Sequence, residues 1–591
     1  MRDFFKTVGA VLTGLFLWGV ITSVLSLIVF MGFISAFSSG SSKKTETEIE
    51  KNSILKLDLS QAISERSTID YSSFYNSFSF ENIETLGLDD IAKALNNAAE
   101  DDNISALYVN LSQMGVPDIA SAESIRKMIV KFRENSGKPT FAFADSYDNI
   151  SYFVATGCDK IYMRTLGDFV FNGLCSQSIY YKNALDKFGV EAQIIRHGKF
   201  KAAVEPYMQD KMSDANRLQI QTYLSDIWKV MVDNIASSRG ISSEQINKYA
   251  DDLSLYSNDE LCVSSGLIDG VIFENDFEEI VQEAANQDVK NDIKVVSVSE
   301  YCNSLTEGFN TKNIAVIYAV GEINSEESSS EEVITSSTTV AAIDEAMNDD
   351  DIKAVVLRVN SPGGSATEAE IIYNELKKLK EKKPLVVSMG GYAASGGYYI
   401  SAPADYIFAE PTTITGSIGV FGLLLNPEKI MKNTLGLNIE TVSTNKHSDF
   451  ISGLTSKDSY ELAVMQNSVE KVYSIFLQHV AQGRNMSPAD VDSFGQGRVW
   501  TGISAQKIGL VDSLGSLEDA IIKAAELADL KYYDFKSLPK QEDDFSKIFS
   551  GLMEISEKKI YGEEVYLQKK TLEKISRLKG VQAYQPKTKI Y

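Results

Sequence analysis

Short apolar runs alternate with amphipathic stretches along most of the chain that follows the polar segment "SSGSSKKTETEIEKNS". The apolar runs are brief and rich in β-forming residues, as in "SALYVNLS" and "AVVLRVNS", which is typical of buried strands. Strands that alternate with helical patterns indicate βα units. The pattern of hydrophobic and polar positions therefore predicts an α/β fold.

The same pattern occurs twice along the chain. "DNISALYVNLSQ" (102–113) matches "DIKAVVLRVNSP" (351–362), and "KPTFAFADSY" (138–147) matches "KPLVVSMGGY" (383–392). Two further pairs follow in the same order, "SYFVATGCDKIY" with "GYYISAPADYIF" and "NDELCVSSGLIDGV" with "WTGISAQKIGLVDSL". A shared offset of about 245 residues predicts a tandem duplication of one α/β domain.

The repeat sets the predicted domain bounds. A chain of 591 residues is too long for one hydrophobic core, and the two copies occupy residues 42–305 and 312–535. Residues 536–591 are charged, rich in Tyr and Lys, and have no counterpart in the first copy. We expect them to form a helical extension.

The N-terminal region has a different character. No charged residue occurs between Lys6 and Lys43, and the apolar run covers 8–37. This run is longer than the apolar core of a cleaved signal peptide and long enough to cross a bilayer as a helix. Residues 1–41 are therefore predicted to be a short cytoplasmic tail and an uncleaved transmembrane anchor. Arg2 and Lys6 before the run favour a cytoplasmic N-terminus, although Lys43 and Lys44 on the far flank weaken this bias. We therefore expect a single-pass protein of the inner (cytoplasmic) membrane with its body on the outer face.

Composition excludes some functions. The net charge of −24, from 57 basic and 81 acidic residues, argues against nucleic-acid binding. The three histidines are scattered and no Cys-x-x-Cys pair occurs, so neither a metal nor another cofactor is expected. The four cysteines are read as buried thiols, with a disulfide as the alternative for an extracytoplasmic domain.

The two copies differ at a glycine-rich stretch, "SMGGYAASGGYYISAP" (388–403). When the copies are aligned on Asp159 and Asp405, Ser395 falls opposite Asn149, and its flanking glycines are replaced by "DNIS". A serine at a strand-to-helix turn is a candidate nucleophile, with the N–H of Gly396 facing a developing oxyanion. A second N–H would come from Gly363 or Gly364 in "NSPGG". Tight structural turns are the alternative explanation for both stretches.

A base for Ser395 has to come from elsewhere. The first copy contains "RHGKFKAAVEPY" (196–207), in which Lys199 and Lys201 precede a small-residue run. A lysine becomes a general base when burial lowers its pKa toward neutrality, whereas an ordinary surface lysine stays charged. His197 is the alternative base, although the glycine that follows it argues against a helix that would place it beside Lys201.

Five motifs, taken together, resemble one known family: "GKFKAAVEPY", "RVNSPGG", "GGYAASGGYYISAPAD", "TGSIGVFG" and "GRVWTGISAQKIGLVDSLG". The chain resembles the signal peptide peptidase A family in its long tandem form, along its whole length. This family comprises membrane-anchored Ser–Lys peptidases with a fold related to ClpP and the crotonases. The resemblance implies a tandem ClpP/crotonase-like fold behind one N-terminal transmembrane helix.

The resemblance also implies roles for particular residues. Ser395 would be the nucleophile, Lys201 rather than Lys199 the general base, and Ser417 the residue that orients the lysine. The implied substrates are hydrophobic peptides, in particular remnant signal peptides released from preproteins. No cofactor is implied, and the expected assembly is a homotetramer.

The repeat agrees with this division of roles, because Ser448 aligns opposite Lys201 and each copy thus retains one half of a pair. Two other functions stay open at this point. A crotonase-type acyl-CoA enzyme would share the fold and the oxyanion hole. A membrane-anchored scaffold that assembles other proteins would need no catalytic residues.

Overall fold

The computed structural model describes residue 18 and residues 48–70, 83–305, 312–326, 333–541, 581–587 and 590. Within these ranges, no helix has both the length and the apolar character that a membrane crossing requires. The predicted localisation at the inner membrane is therefore corrected. The expected anchor at 8–37, apart from Trp18, lies outside the described residues. The helical extension expected at 536–591 is described only at 536–541, 581–587 and 590, where it contributes to two strands, Phe535–Leu538 and Gln582–Tyr584, and to no helix.

The first copy folds into ten strands and ten helices within the described residues. The strands are β1 Ser53–Asp58, β2 Ile63–Ser64, β3 Thr68–Asp70, β4 Ile83–Gly87, β5 Ile104–Asn110, β6 Thr140–Ala144, β7 Lys160–Arg164, β8 Glu191–His197, β9 Gly270–Ile272 and β10 Val295–Ser297. The helices are α1 Leu88–Glu100, α2 Ile119–Ser136, α3 Asn149–Ala155, α4 Lys182–Phe188, α5 Glu205–Met208, α6 Asp214–Arg239, α7 Ser243–Asp252, α8 Asp259–Ser264, α9 Glu274–Ala284 and α10 Val298–Ser304. A 3₁₀ turn, Ala202–Val204, precedes α5.

The second copy and the C-terminal segment supply the remaining elements. The strands are β11 Ile314–Val320, β12 Glu322–Ile323, β13 Val333–Ile334, β14 Ala354–Ser361, β15 Gly363–Ser365, β16 Leu385–Ala394, β17 Tyr406–Ala409, β18 Ile414–Gly416, β19 Val420–Asn426, β20 Val499–Thr501, β21 Ser513–Leu514, β22 Phe535–Leu538 and β23 Gln582–Tyr584. The helices are α11 Ser336–Asn348, α12 Ala366–Lys380, α13 Gly396–Ser401, α14 Glu428–Asn433, α15 Ser459–Arg484, α16 Pro488–Phe494, α17 Gly502–Lys507 and α18 Leu517–Leu527.

Both copies build a parallel sheet with the same strand order. The first sheet runs β10-β1-β5-β6-β7-β9, and the second runs β22-β11-β14-β16-β17-β21. The second sheet adds β18 and β20 beside the far end of the long strand β16. The α/β class and the tandem arrangement predicted from the repeat are thus confirmed.

Matching polar contacts support the alignment of the copies. The Lys138 amine donates to two backbone carbonyls at the C-terminal end of α1, and Lys383 does the same at the end of α11. Such carbonyls have no partner inside a helix. Asp159 accepts the backbone N–H at the start of β6, and Asp405 accepts the backbone N–H at the start of β16. The second copy therefore repeats the first at the level of single hydrogen bonds.

A third sheet, of six mostly short strands, joins the copies and runs β13-β12-β15-β23-β19-β8. Strand β8 from the first copy pairs antiparallel with β19 from the second over seven residue pairs, from Val420↔His197 to Asn426↔Glu191. Seven continuous backbone pairs fix the register, so the residues that follow β8 have a defined position over the second copy.

The hydrophobic cores also interlock. Tyr392, Ile414 and Val499 from the second copy are buried in the core cluster of the first, while Ile195 from β8 is buried in that of the second. These exchanges remove apolar surface of both copies from water. The relative position of the copies is thus set by packing as well as by backbone pairing.

A buried ion pair crosses the same boundary. Arg358 Nε lies 2.9 Å from Glu65 Oε2, and Asn360 Nδ2 donates to Glu65 Oε1 over 2.8 Å. All three side chains are buried. Removing one partner from such a pair leaves an unpaired buried charge and costs about 3–5 kcal/mol, so the pair opposes any sliding between the copies.

Candidate active site

Ser395 lies at the junction between β16 and α13. Its backbone has φ 57° and ψ −113°, a conformation that costs a residue with a side chain about 1–3 kcal/mol. The N–H of Ser395 donates to Gly416 O over 2.8 Å, which ties the turn to β18. A sharp turn between a strand and a helix presents the serine side chain at the end of the sheet.

Glycines around Ser395 allow other backbone segments to approach it. A β-carbon on Gly397 would lie 2.6 Å from Ser361 O, and one on Gly363 would lie 2.5 Å from Gly396 N. Real β-carbons do not come this close to backbone atoms. The glycines of "SGG" and "SPGG" are therefore required where β15 packs against the start of α13.

Lys201 reaches this turn from the first copy, in the loop after β8. Gly198 has φ 101°, and Phe200 N–H donates to Gln496 O over 2.9 Å. A β-carbon on Gly497 would lie 2.6 Å from the backbone N of Lys201. Backbone pairing and close glycine contacts thus hold the lysine loop against the second copy.

The Lys201 amine and the Ser395 hydroxyl are in direct contact. Nζ of Lys201 lies 2.8 Å from Oγ of Ser395, and both residues are 0% exposed. Burial places the pKa of Lys201 well below its usual value of 10.5, because desolvation disfavours the charged ammonium. A neutral amine beside a serine hydroxyl is able to accept its proton.

Ser417 is the third member of the cluster. Its Oγ lies 3.0 Å and its carbonyl oxygen 3.3 Å from the Lys201 amine. The residue has φ 51°, and its N–H donates to Arg498 O over 2.7 Å. Ser417 is fully buried, so its two oxygens hold the amine in a fixed direction toward Ser395.

The predicted oxyanion donors are close to one another. Gly363 N–H already donates to Ser361 Oγ over 3.1 Å. A β-carbon on Gly396 would lie 3.1 Å from Gly364 N, so the N–H groups of Gly364 and Gly396 border the same small space. Of the three glycines suggested by the sequence, Gly363 therefore has its N–H engaged, and the N–H groups of Gly364 and Gly396 lie close to each other.

The other candidate bases lie elsewhere. His197 stacks on Tyr473 at 3.8 Å between ring centroids, and its Nδ1 lies 2.6 Å from Glu470 Oε2. The Lys199 amine lies 5.0 Å from the centre of the Phe200 ring. Ser448, the counterpart of Lys201, hydrogen-bonds within its own turn.

All four cysteines are free thiols. Cys158 and Cys262 are buried as expected, whereas Cys302 is half-buried and Cys175 is exposed, so the expectation of four buried thiols is corrected. One group of potential metal ligands occurs in the described part of the chain, His447, Asp458 and Glu461, with ligand atoms within 4.8 Å of one another. Asp458 and Glu461 form the capping box of α15, and His447 bonds to Glu461. These contacts explain the grouping of the three side chains by hydrogen bonding at the N-terminal end of α15, without a metal ion.

Three residues near the site were not singled out from the sequence. Gly497 and Gly419 approach Lys201, whose Cδ would lie 3.2 Å from a β-carbon on Gly419. Gln219 links the copies, since its Nε2 donates to Phe200 O over 3.1 Å and its Oε1 accepts the N–H of Val499. Both glycines lie in or beside motifs quoted above, but Gln219 lies mid-helix without a local signal.

Comparison with known protein families gives a match in each of the two copies. The sequence model of peptidase family S49 matches residues 133–289 and 377–531, and the Clp protease model matches residues 313–413. The chain belongs to peptidase family S49. The match occurs once in each copy, so the family's domain is present in tandem.

Named relatives agree with the S49 assignment. Protease 4 of Haemophilus influenzae is 32% identical over 92% of this chain and 92% of its own length. Protease 4 of Salmonella typhi is 36% identical over 77% of this chain and 74% of its own length. A putative signal peptide peptidase SppA of Enterococcus faecium is 37% identical over 32% of this chain and 56% of its own length. S49 membership supports a serine-type protease over the acyl-CoA enzyme and the scaffold.

The lowered pKa of Lys201 predicts a pH-dependent cost to stability. Between that lowered pKa and about 10.5, the unfolded chain binds a proton that the folded chain does not, so stability rises with pH across this window. Lys201→Met removes the amine while keeping an unbranched side chain. We expect it to raise the melting temperature, and to raise it more at about pH 6 than at about pH 9.

Lys199→Met is the matched control, because Lys199 is an exposed lysine two positions away. It should leave the melting temperature unchanged at either pH. A lower melting temperature for Lys201→Met at both pH values would mean that the buried amine stabilises the fold, contrary to this account.

Proposed function

We propose that the chain is a serine endopeptidase in which Ser395 is the nucleophile and Lys201 the general base. The observation that carries this proposal is the 2.8 Å separation of Nζ and Oγ, in a buried setting that lowers the pKa of Lys201. Ser417 positions the amine through its two oxygens. The base comes from the first copy and the nucleophile from the second.

Each step moves one proton through Lys201. The neutral amine takes the proton from Ser395 Oγ as the oxygen attacks the substrate carbonyl carbon. The N–H groups of Gly364 and Gly396 stabilise the negative oxygen of the tetrahedral intermediate. The ammonium then protonates the leaving amide nitrogen, and the C–N bond breaks. A water molecule, deprotonated by the same amine, hydrolyses the ester on Ser395.

The third sheet suggests how a substrate binds. Strands β15 and β19 are separated by the width of one strand, a space that an extended peptide fills by pairing with both edges. A cluster formed by Val204, Phe421 and Leu423 packs beside this space, which favours apolar side chains. We therefore assign hydrophobic peptides as substrates. The similarity to the putative signal peptide peptidase of Enterococcus faecium favours signal peptides within that class.

The duplication also suggests an assembly. Strand β8 of the first copy pairs with β19 of the second, and both strands have counterparts, at 438–444 and 173–179. In the described structure these counterparts are outside any strand, apart from a bridge between Ser176 and Ile590. Val442 and Ile179, one in each segment, are exposed. Pairing of 438–444 with 173–179 of the next chain would close a ring, for which the family resemblance implies four chains.

Substitution of the nucleophile tests the proposed reaction. Ser395→Ala should lower kcat/KM for hydrolysis of a hydrophobic peptide ester by at least about 10³-fold, because the acyl-enzyme cannot form. Ser401→Ala is the matched control: Ser401 is also a fully buried serine, and it donates to Gly397 O within α13. Retention of full activity by Ser395→Ala would show that another residue is the nucleophile.

The proposed ring is tested by solution mass. The wild-type chain should have the mass of four chains by light scattering after gel filtration. Val442→Pro removes a backbone donor from the pairing segment and should reduce the mass to that of one chain. Val442→Thr keeps the donor and the β-branched shape and should leave the oligomer intact. A wild-type mass of one chain would contradict the assembly.

A further inference from the structure

The C-terminal segment fills the space between β15 and β19. Strand β23 pairs antiparallel with β15, placing Gly363 opposite Tyr584, Gly364 opposite Ala583 and Ser365 opposite Gln582. On its other side β23 pairs with β19 through Phe421 and Gln582. Residues 582–584 thus occupy the position that an extended substrate would take.

The register puts one peptide bond of this segment at the nucleophile. Gln585 N–H donates to Pro362 O over 2.7 Å, and Ala366 N–H donates to Val581 O over 3.4 Å. In an antiparallel pair, hydrogen-bonded positions alternate along the strand. Gly364 and Ala583, midway between those two contacts, therefore form a hydrogen-bonded pair in which the Gly364 N–H points at the Ala583 carbonyl oxygen.

The second oxyanion donor surrounds the same oxygen. The position of a β-carbon on Gly363 would be 2.1 Å from Ala583 O and 2.5 Å from Gly396 N. A β-carbon on Gly396 would be 3.0 Å from Ala583 O. The Ala583 carbonyl oxygen consequently lies in the small space that Gly364 and Gly396 border, beside Ser395.

Side chains on both sides of Ala583 are held as well. Ala583 is 0% exposed, so a larger side chain at this position would have to displace the residues that cover its methyl group. The Tyr584 hydroxyl donates to Glu322 Oε1 over 2.9 Å, and the Ser417 hydroxyl donates to Gln585 Oε1 over 3.1 Å. Val581 packs against the core of the second copy. These contacts fix the segment from Val581 to Gln585.

We propose that the chain binds its own C-terminal segment as a substrate and cleaves it between Ala583 and Tyr584. This inference rests on the proposed function, because it uses Ser395 as nucleophile and Lys201 as base. Until the bond is cut, the segment excludes other peptides from the space between β15 and β19. The uncut protein is therefore latent toward external substrates.

The cleavage balances as a hydrolysis. Ser395 Oγ bonds to the Ala583 carbonyl carbon and gives its proton to Lys201. The bond from Ala583 to Tyr584 N breaks as Lys201 returns that proton to the Tyr584 nitrogen, which leaves as an amine. Water then adds to the Ala583 ester, one of its protons passes through Lys201 to Ser395 Oγ, and Ala583 becomes the new carboxyl terminus.

Intact mass spectrometry of the purified full chain tests this inference. The wild-type chain should lose Tyr584–Tyr591, and Ser395→Ala should keep these residues under the same incubation. Hydrolysis of a hydrophobic peptide ester should show a lag that ends as the segment is lost. A tethered competitor acts at an effective concentration on the order of mM. If the segment binds with a dissociation constant of about 0.1 mM, within the usual range for enzyme substrates, the final rate should exceed the initial rate by roughly tenfold.

Two tail variants separate the outcomes. Ala583→Trp cannot fit the enclosed position, so it should stop cleavage and abolish the lag. Lys587→Gln alters an exposed residue outside β23 and should be cleaved like the wild type.

Loss of the segment from Ser395→Ala, or a cut at another bond, would overturn the inference. A wild-type chain that hydrolyses the peptide ester but keeps Tyr584–Tyr591 would overturn it while leaving the proposed function intact. A wild-type chain that cleaves neither the peptide ester nor its own C-terminal segment would count against both this inference and the proposed function.

Discussion

The structure depends on one costly feature, a lysine amine buried beside a serine hydroxyl. Burial of Lys201 holds its pKa well below the usual value, and such burial destabilises the fold wherever the unfolded chain is protonated. The surrounding contacts offset that cost: the long β8–β19 pairing, the shared cores and the buried pair of Arg358 with Glu65. Each of these joins the first copy to the second, which keeps the amine and the hydroxyl 2.8 Å apart.

The contact between Lys201 and Ser395 takes one residue from each copy of the duplicated domain. At the position of Ser395 the first copy has Asn149, whose side chain bonds to Gly173 O and to Asn172 instead of facing a substrate. At the position of Lys201 the second copy has Ser448 in a turn. Each copy therefore retains the sheet, while the reactive groups are divided between them.

Much of this arrangement follows from local sequence pattern, and the rest does not. The α/β class and the tandem arrangement follow from periodicity and the repeat, and Ser395 follows from its glycine-rich motif. The choice of Lys201 over Lys199 and the selection of Ser417 came from the family resemblance. The third sheet could not be predicted, because β12, β13, β15 and β23 have two or three residues each and pair across long sequence distances. The apolar run at 8–37 led us to predict a localisation at the inner membrane. That prediction was wrong, because no helix among the described residues has the length and apolar character needed to cross a membrane.

The pH dependence of covalent labelling at Ser395 tests the central claim most directly, because it reports the ionisation of the proposed base in the folded protein. The rate of labelling by a serine-reactive phosphonate, followed by intact mass, should rise with pH through one ionisation well below 10.5 and then level off. Lys201→Met should lose this rise, and the label should map to Ser395. A rate that levels off only near pH 10.5, or an unchanged profile in Lys201→Met, would contradict the account.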